Sequence, residues 1–314
     1  MAEDRFDVIV IGGGHNGLTT ANYLAMGGLK VCVLERRHIV GGAAITEEFH
    51  PGYRNSIASY VVSLLRPEVI EELELKKYGY EPMLLKNSFY PDLNGDYFLL
   101  TDDEDHNKKQ YEKFSKTDYD AVHQYHEIVD KVGEILSKQW LKEPPKLHGG
   151  GLSDIISAMK MGLDMKKLDK DTRYRMVQFF VGAPDSMIER WFDSDKIKAV
   201  MASHCMPANF VSLHNPGASL AMLHHAVGQI DGQKGEWGIV KGGMGAITGA
   251  MAKSAEAKGV VIKTNAAVAK ILTENGGVTG AKLENGEEIK AKIIAKENCI
   301  IGGLNFAKEA FKCS

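Results

Sequence analysis

Four residues near the N-terminus have the types and spacing to bind a nucleotide. Gly12, Gly14 and Gly17 stand as G-x-G-x-x-G, and Glu35 follows eighteen positions after the last of them. The first glycine permits a sharp turn, the second lets a pyrophosphate approach the backbone, and the third lets a helix lie close to a strand. A carboxylate at position 35 can accept both hydroxyls of an adenosine ribose. The chemistry of this set is dinucleotide binding, against the plainer reading of a glycine-rich turn that binds nothing.

The flanking sequence supplies the elements that must position these residues. Phe6 to Ile11, FDVIVI, is an apolar run of the kind found in a parallel strand buried on both faces. A helix then buries Leu18, Ala21, Leu24 and Ala25 and stops at Gly27-Gly28, with its positive N-terminal end toward the phosphates. Lys30 to Leu34 is a second buried strand ending at Glu35. Strand, turn, helix, strand and acid thus occur in order within thirty residues.

Downstream, Arg36-Arg37-His38-Ile39-Val40 leads to the pair Gly41-Gly42 and then Ala43-Ala44. This E-x5-GG arrangement, together with the strings EEFHPGYR and ASYVVSLLRPEVIEELELKKYG, closely resembles the phytoene desaturase-like FAD-dependent oxidoreductases. Arg190-Trp191-Phe192 and Lys241 to Ile247 also resemble that family. The resemblance runs from about residue 5 to about residue 295 and implies FAD rather than NAD(P). It also implies a glutathione reductase-like α/β fold, with a Rossmann-like FAD-binding domain of parallel sheet plus β-meander and an inserted, mainly helical cap or substrate domain. Cofactor contacts are then expected at Gly12, Gly14, Asn16, Gly17, Glu35, Arg36, Gly41, Gly42, Ala43, Ala44 and, in the meander, at Val268. Ala43 is a departure: amine oxidases and carotenoid desaturases generally carry arginine after the glycine pair.

The resemblance implies a flavin that accepts hydride from a substrate C–H bond, with an apolar or lipid-like small molecule as substrate and an electron acceptor left open. A noncatalytic protein that holds FAD and acts through a protein or membrane partner is the alternative. No catalytic residue can be named. Adjacent His224 and His225 point about 100° apart on a helix and cannot share one site. His15 lies beside the phosphate turn without an assigned role, and the sequence alone identifies no partner for His50 or His204.

Composition narrows the class. The 314 residues are 44% hydrophobic and 25% charged, with a net charge of -3, an ordinary globular balance with no electrostatic footprint for nucleic acid. The four cysteines, Cys32, Cys205, Cys299 and Cys313, are scattered without a C-x-x-C pair, which suggests neither a disulfide framework nor a dithiol couple and fits a reducing compartment. No metal-ligand cluster is expected. No run approaches the roughly 18 apolar residues of a membrane span. A cytoplasmic location is expected, or the mitochondrial matrix in a eukaryote.

The division expected is an FAD domain of residues 1–93 and 233–295, a helical domain of 94–232, and a divergent tail of 296–314. Asp120 to Leu136 has helical spacing, with Thr117 and Asp118 as caps. After the Pro144-Pro145 and His148 to Gly151 breaks, Ser153 to Asp169 mixes apolar residues with lysines. Core packing is the expectation there, because methionines at helical spacing fill gaps; a membrane-surface helix is the alternative. Gly235 to Gly259 reads as a glycine-rich turn and helix lying close on the cofactor domain rather than a second phosphate cradle. Val260 to Thr264 reads as a third parallel strand. Ala267–Thr273, Val278–Glu284 and Glu287–Ala295 follow as a meander, joined by Asn275-Gly276-Gly277 and Asn285-Gly286 turns. The resemblance ends at Lys296, and the chain reads as a C-terminally truncated member of the family.

Overall fold

The computed structural model describes residues 5–139, 142–146, 150–205 and 211–296, apart from the side chains of His224, His225 and Lys296. Residues 297–314 of the expected tail, with Cys299 and Cys313, and His148-Gly149 of the expected break lie outside the described residues. The chain divides into two compact units, Met1–Met83 with Gly238–Ser314, and Leu84–Trp237.

The first unit opens with β1 (Phe6–Ile11), α1 (His15–Met26) and β2 (Val31–Leu34), continues through a hairpin of β3 (Thr46–His50) and β4 (Tyr53–Ser56), and reaches α2 (Pro67–Glu72) and β5 (Pro82–Leu84). The second unit holds a hairpin of β6 (Ser88–Pro91) and β7 (Tyr97–Leu100) and then the helices α3 (Glu104–Glu112), α4 (Asp118–Ser137), α5 (Leu152–Lys167), α6 (Lys170–Val181), α7 (Pro184–Trp191), α8 (Asp195–Ser203) and α9 (Leu220–Ala226). It ends in the short pair β8 (Gln229–Ile230) and β9 (Gln233–Lys234). The chain then returns to the first unit as β10 (Gly238–Val240), α10 (Gly245–Ala257), β11 (Val261–Lys263) and the strands β12 (Val268–Glu274), β13 (Gly277–Leu283) and β14 (Glu288–Lys296).

Six strands form one sheet in the order β11-β2-β1-β14-β13-β12. β1 pairs in parallel with both β2 and β14, and β11 pairs in parallel with β2. Because side chains alternate across a strand, β1 feeds two cores. Ile9 and half-buried Ile11 join Cys32, Leu34, Ala281, Leu283, Ile289 and Ala291, whereas Val8 and Val10 join Ala21 and Leu24 of α1, Val31, Val33, Ala255 of α10 and Val260. This two-sided burial explains the unbroken apolar run of β1, each fully buried Val or Ile contributing roughly 1.5–3 kcal/mol.

The meander differs from a separate three-stranded sheet in one respect. Glu288, Ile289 and Lys290 of β14 pair antiparallel with β13, and Ala291 to Lys296 pair in parallel with β1, so one long strand belongs to both arrangements. At the first turn, Asn275 and Gly276 both adopt positive φ, 49° and 80°, the conformation an Asn-Gly hairpin turn requires.

The second unit begins ten residues before the expected boundary at 94 and ends at 237 rather than 232. The reason is packing: Phe98 of β7 is buried against Tyr111 of α3, with ring centroids 4.9 Å apart, so the hairpin belongs with the helices. Asp118 also differs from expectation. Its buried carboxylate accepts the backbone N–H groups of Asp193 and Ser194, each at 2.9 Å, ahead of α8, instead of capping α4. The core packing expected for Ser153 to Asp169 is corrected outright, since α5 has no buried residue. Helical spacing identifies an apolar stripe but not whether protein or water faces it.

Candidate functional site

The site is built where β1 ends. Gly12 turns the chain at φ 106°, in the left-handed region that favours glycine, and its N–H donates to Leu34 O at 2.9 Å. Gly14 precedes α1 in extended conformation and offers no side-chain acceptor to the helix. The first N–H groups of the helix, at His15, Asn16 and Gly17, are those without an intrahelical acceptor, and they gather at its positive end. Gly17 is where the helix meets the turn: a Cβ there would lie 2.1 Å from Gly12 O. His15 is exposed and Asn16 half-buried.

Glu35 continues from β2 and is 7% exposed. Its Oε2 accepts the Gly13 N–H at 2.7 Å and its Oε1 the Arg37 N–H at 2.9 Å. A carboxylate has about four lone-pair sites, so each oxygen keeps capacity for a further donor such as a ribose hydroxyl. The backbone of Glu35 is fixed as well, its N–H donating to Lys263 O at 2.9 Å and its carbonyl accepting from Ala266 N–H at 2.8 Å. Asn265 N–H donates to Arg37 O at 2.8 Å. These bonds bring β11 and the segment leading to β12 beside the acid. Val268 stands at the start of β12, half-buried against the cluster containing Leu34 and Ala266 and opposite Leu283. Arg36 is exposed, whereas Arg37 pairs with Glu47 at 2.6 Å.

The glycine pair joins the same turn. Gly41 N–H donates to Gly13 O at 2.7 Å, and Gly14 and Gly41 form a parallel bridge. Gly41 has φ 134° and no room for a side chain, since a Cβ would lie 2.5 Å from Ile45 Cγ2 and 2.7 Å from Ala44 O. Gly42 and Ala43 are exposed and Ala44 is buried. The structure thus brings together the residues expected at the phosphate turn, the acid and the glycine pair, with Val268 farther along the same sheet. The fit to a dinucleotide rests on the uncapped helix start, the glycine-lined turn and the acid with spare acceptor capacity.

Five contributors escaped sequence reasoning. Gly13 is the middle of a glycine triplet, and its N–H rather than its conformation matters; a Cβ there would meet Val40 Cγ1 at 3.0 Å and Glu35 Cβ at 3.1 Å. Thr248 of α10 donates to Ala44 O at 2.9 Å, its only sequence signal being a polar residue on an apolar helix face. Ser56 and Thr46 accept the Met244 and Gly245 N–H groups at 3.0 and 2.9 Å. The start of α10 is therefore occupied by hydroxyls, in keeping with its reading as a packing helix rather than a second phosphate cradle. Asn22, fully buried, donates to Met251 O at 3.0 Å and ties α1 to α10.

Among the described residues no His, Cys, Asp and Glu group could hold a metal ion. Among them, too, no helix is long and apolar enough to cross a membrane.

The profile of the flavin containing amine oxidoreductase family matches residues 17–294. Pyridine nucleotide-disulfide oxidoreductase domain-containing protein 2 of Rattus norvegicus is 36% identical over 306 residues, covering 92% of this chain and 52% of that protein. A 4,4'-diaponeurosporene oxygenase of Staphylococcus aureus is 25% identical over 306 residues, with 91% and 54% covered. The chain thus spans about half the length of these curated relatives. A redesigned putrescine oxidase has the same fold, with a TM-score of 0.56 at 19% identity over 93% of this chain and 57% of that one. The residues at the turn, the acid and the glycine pair fit the cofactor this family carries, which is FAD. The chain belongs to the flavin containing amine oxidoreductase family of FAD-dependent oxidoreductases.

Proposed function

We propose that this chain carries the cofactor-binding part of an oxidoreductase that removes hydride from a C–H bond of an apolar or lipid-like small molecule. The observation that carries the reading is the convergence of the uncapped α1 start, Glu35 and Gly41 on one turn, within a chain matched along residues 17–294 by a flavin-containing family. Bound FAD supplies the hydride acceptor, and the protein supplies binding and orientation. The N–H groups at residues 15–17 would hold the pyrophosphate, with Gly12 and Gly14 giving it room and Asn16 beside it. Glu35 would accept the ribose hydroxyls, with Arg36 alongside. Gly41, Gly42, Ala43 and Ala44 would line the second contact, and backbone near Val268 would border the adenine. An apolar substrate is supported by the name of one relative, an oxygenase of diaponeurosporene. The scattered cysteines, with Cys32 and Cys205 buried, support a reducing compartment, the cytoplasm or the mitochondrial matrix.

The test is an absorbance spectrum of the purified chain before and after FAD is added and the excess removed, followed by anaerobic addition of candidate apolar substrates. The expected result is a retained flavin band that bleaches with a substrate and is lost in a Glu35→Ala, Gly14→Val double variant. A folded chain that retains no flavin would overturn the binding assignment. A flavin that no substrate bleaches would favour the noncatalytic role.

A further inference from the structure

The second unit carries a helix whose apolar side faces water. In α5, Leu152, Ile155, Ile156, Met159 and Leu163 are 74%, 57%, 57%, 63% and 56% exposed. At 100° per residue these five side chains fall on one stripe. The opposite side is the one that approaches protein, where Asp154, Ala158 and Met165 are half-buried. An ordinary surface helix has the reverse arrangement, apolar inward and charged outward.

Charge is sorted along with hydropathy. Lys160 and Lys167 lie along one edge of the stripe and Lys166 at its C-terminal end, all three exposed. Both carboxylates of the helix, Asp154 and Asp164, lie on the half turned away, and each is engaged. Asp154 accepts the Lys146 and Gly151 N–H groups at 2.9 Å, and Asp164 pairs with Lys167 at 3.0 Å. Lysine stems can lie along apolar surface while their ammonium groups reach outward, which suits a rim position. The following helix, α6, repeats the composition of this face: Tyr174, Val177 and Val181 are 55%, 58% and 61% exposed, with Lys170 and Arg173 exposed among them.

We propose that α5 is a membrane-surface helix that seats its Leu152 to Leu163 stripe in the acyl boundary of an anionic bilayer, its lysines meeting the lipid phosphates. Three features together select a bilayer: an outward apolar stripe, a cationic rim, and carboxylates confined to the far side. At 16 residues α5 is far too polar on its other face to cross the membrane, so it lies in the interface plane. The inference stands apart from the flavin assignment and needs no catalysis for its test.

The experiment is flotation of the full 314-residue chain with vesicles of phosphatidylcholine alone and of phosphatidylcholine with phosphatidylserine, alongside sedimentation velocity without lipid. The chain is expected to float with the phosphatidylserine vesicles and to be released by salt. Ile156→Ser with Met159→Ser and Leu163→Ser should abolish flotation. Lys160→Gln with Lys166→Gln and Lys167→Gln should weaken it roughly 10- to 100-fold, at about 1 kcal/mol per lysine near an anionic surface and less for the paired Lys167. The substituted side chains are exposed, so circular dichroism and the thermal midpoint should match wild type; should the serine variant misfold, Ile156→Ser alone must still lower the bound fraction. A folded wild-type chain that does not float overturns the proposal, as does flotation indifferent to both sets. Self-association abolished by the serine variant, without vesicle binding, would make the stripe a contact between copies and overturn it as well.

Discussion

Gly17 and Gly249 offer a paired test of the phosphate turn, because each is a helical glycine and the same substitution should act on them with opposite sign. Alanine in place of glycine stabilises a helix interior by about 1 kcal/mol. At Gly249 in α10 nothing lies within 4 Å of the new Cβ, so that gain should appear undiminished. At Gly17 the Cβ would fall 2.1 Å from Gly12 O and 3.2 Å from Gly12 C. The obstacle is backbone in the turn itself, so relief requires α1 to withdraw from the end of β1 by more than an ångström. Overpacking of this kind costs about 1–3 kcal/mol, which outweighs the propensity gain. The propensity gain is common to both variants, so they should differ by the overpacking cost, about 1–3 kcal/mol in stability. At a shift of roughly 2–4 °C per kcal/mol, their thermal midpoints should lie roughly 2–12 °C apart, with Gly249→Ala the higher. The assay is thermal denaturation followed by far-ultraviolet circular dichroism, with FAD retention measured on the same samples. Gly17→Ala should lose flavin, because the displaced helix start no longer points its N–H groups at the turn. A Gly17→Ala protein that is stabilised to the same degree as Gly249→Ala and keeps flavin would refute the close approach of α1 to β1.

Three further outcomes follow from named contacts. Glu35→Gln replaces one oxygen that accepts Gly13 N–H or Arg37 N–H by an amide that donates, and should destabilise the chain by about 1–3 kcal/mol in chemical denaturation while weakening FAD retention. Asp7 accepts the Lys30 N–H at 3.0 Å and pairs with Lys292 at 3.0 Å; these bonds hold its carboxyl below the usual aspartate range. A depressed folded pKa gives stability that is complete above the unfolded value of 3.8 and lost as pH falls through the folded one, so Asp7→Asn should flatten the stability profile below about pH 4. Burial pushes the Cys32 thiol up to about 12, so a thiol reagent at neutral pH should label it only on unfolding, whereas rapid labelling of native protein would contradict its place in the sheet core.

How far the sequence discloses the site depends on what each residue does. Gly12, Gly17 and Glu35 are legible because their roles follow from backbone conformation, close approach and charge, properties that glycine and a carboxylate carry wherever they stand. Gly13, Thr46, Ser56 and Thr248 are not, because their contributions are single hydrogen bonds made across long sequence separations. The meander is legible from its Asn-Gly turns, yet nothing local in Glu288 to Lys296 tells that its second half lies beside β1. In α5 the helix is legible and its orientation is not: a stripe of leucine, isoleucine and methionine is the same string whether it faces a core or water. Asp118 has the position of a cap and serves another helix, because its burial, not its offset from α4, selects its partners.

The double membership of β14 bears on the order in which the chain is made. The glycine turn and the segment that bridges to it are complete by residue 44, but one flank of β1 stays open until residues 291–296 leave the ribosome, about 280 positions later. At synthesis rates of roughly 5–20 residues per second, the edge of β1 waits on the order of 10–60 s for its neighbour. The second unit, whose contacts close within Leu84–Trp237, has its whole sequence in hand well before then. An apolar strand edge open for that interval is exposed to pairing with other chains, and a ligand that held the turn in place would favour the folded arrangement while the edge waits.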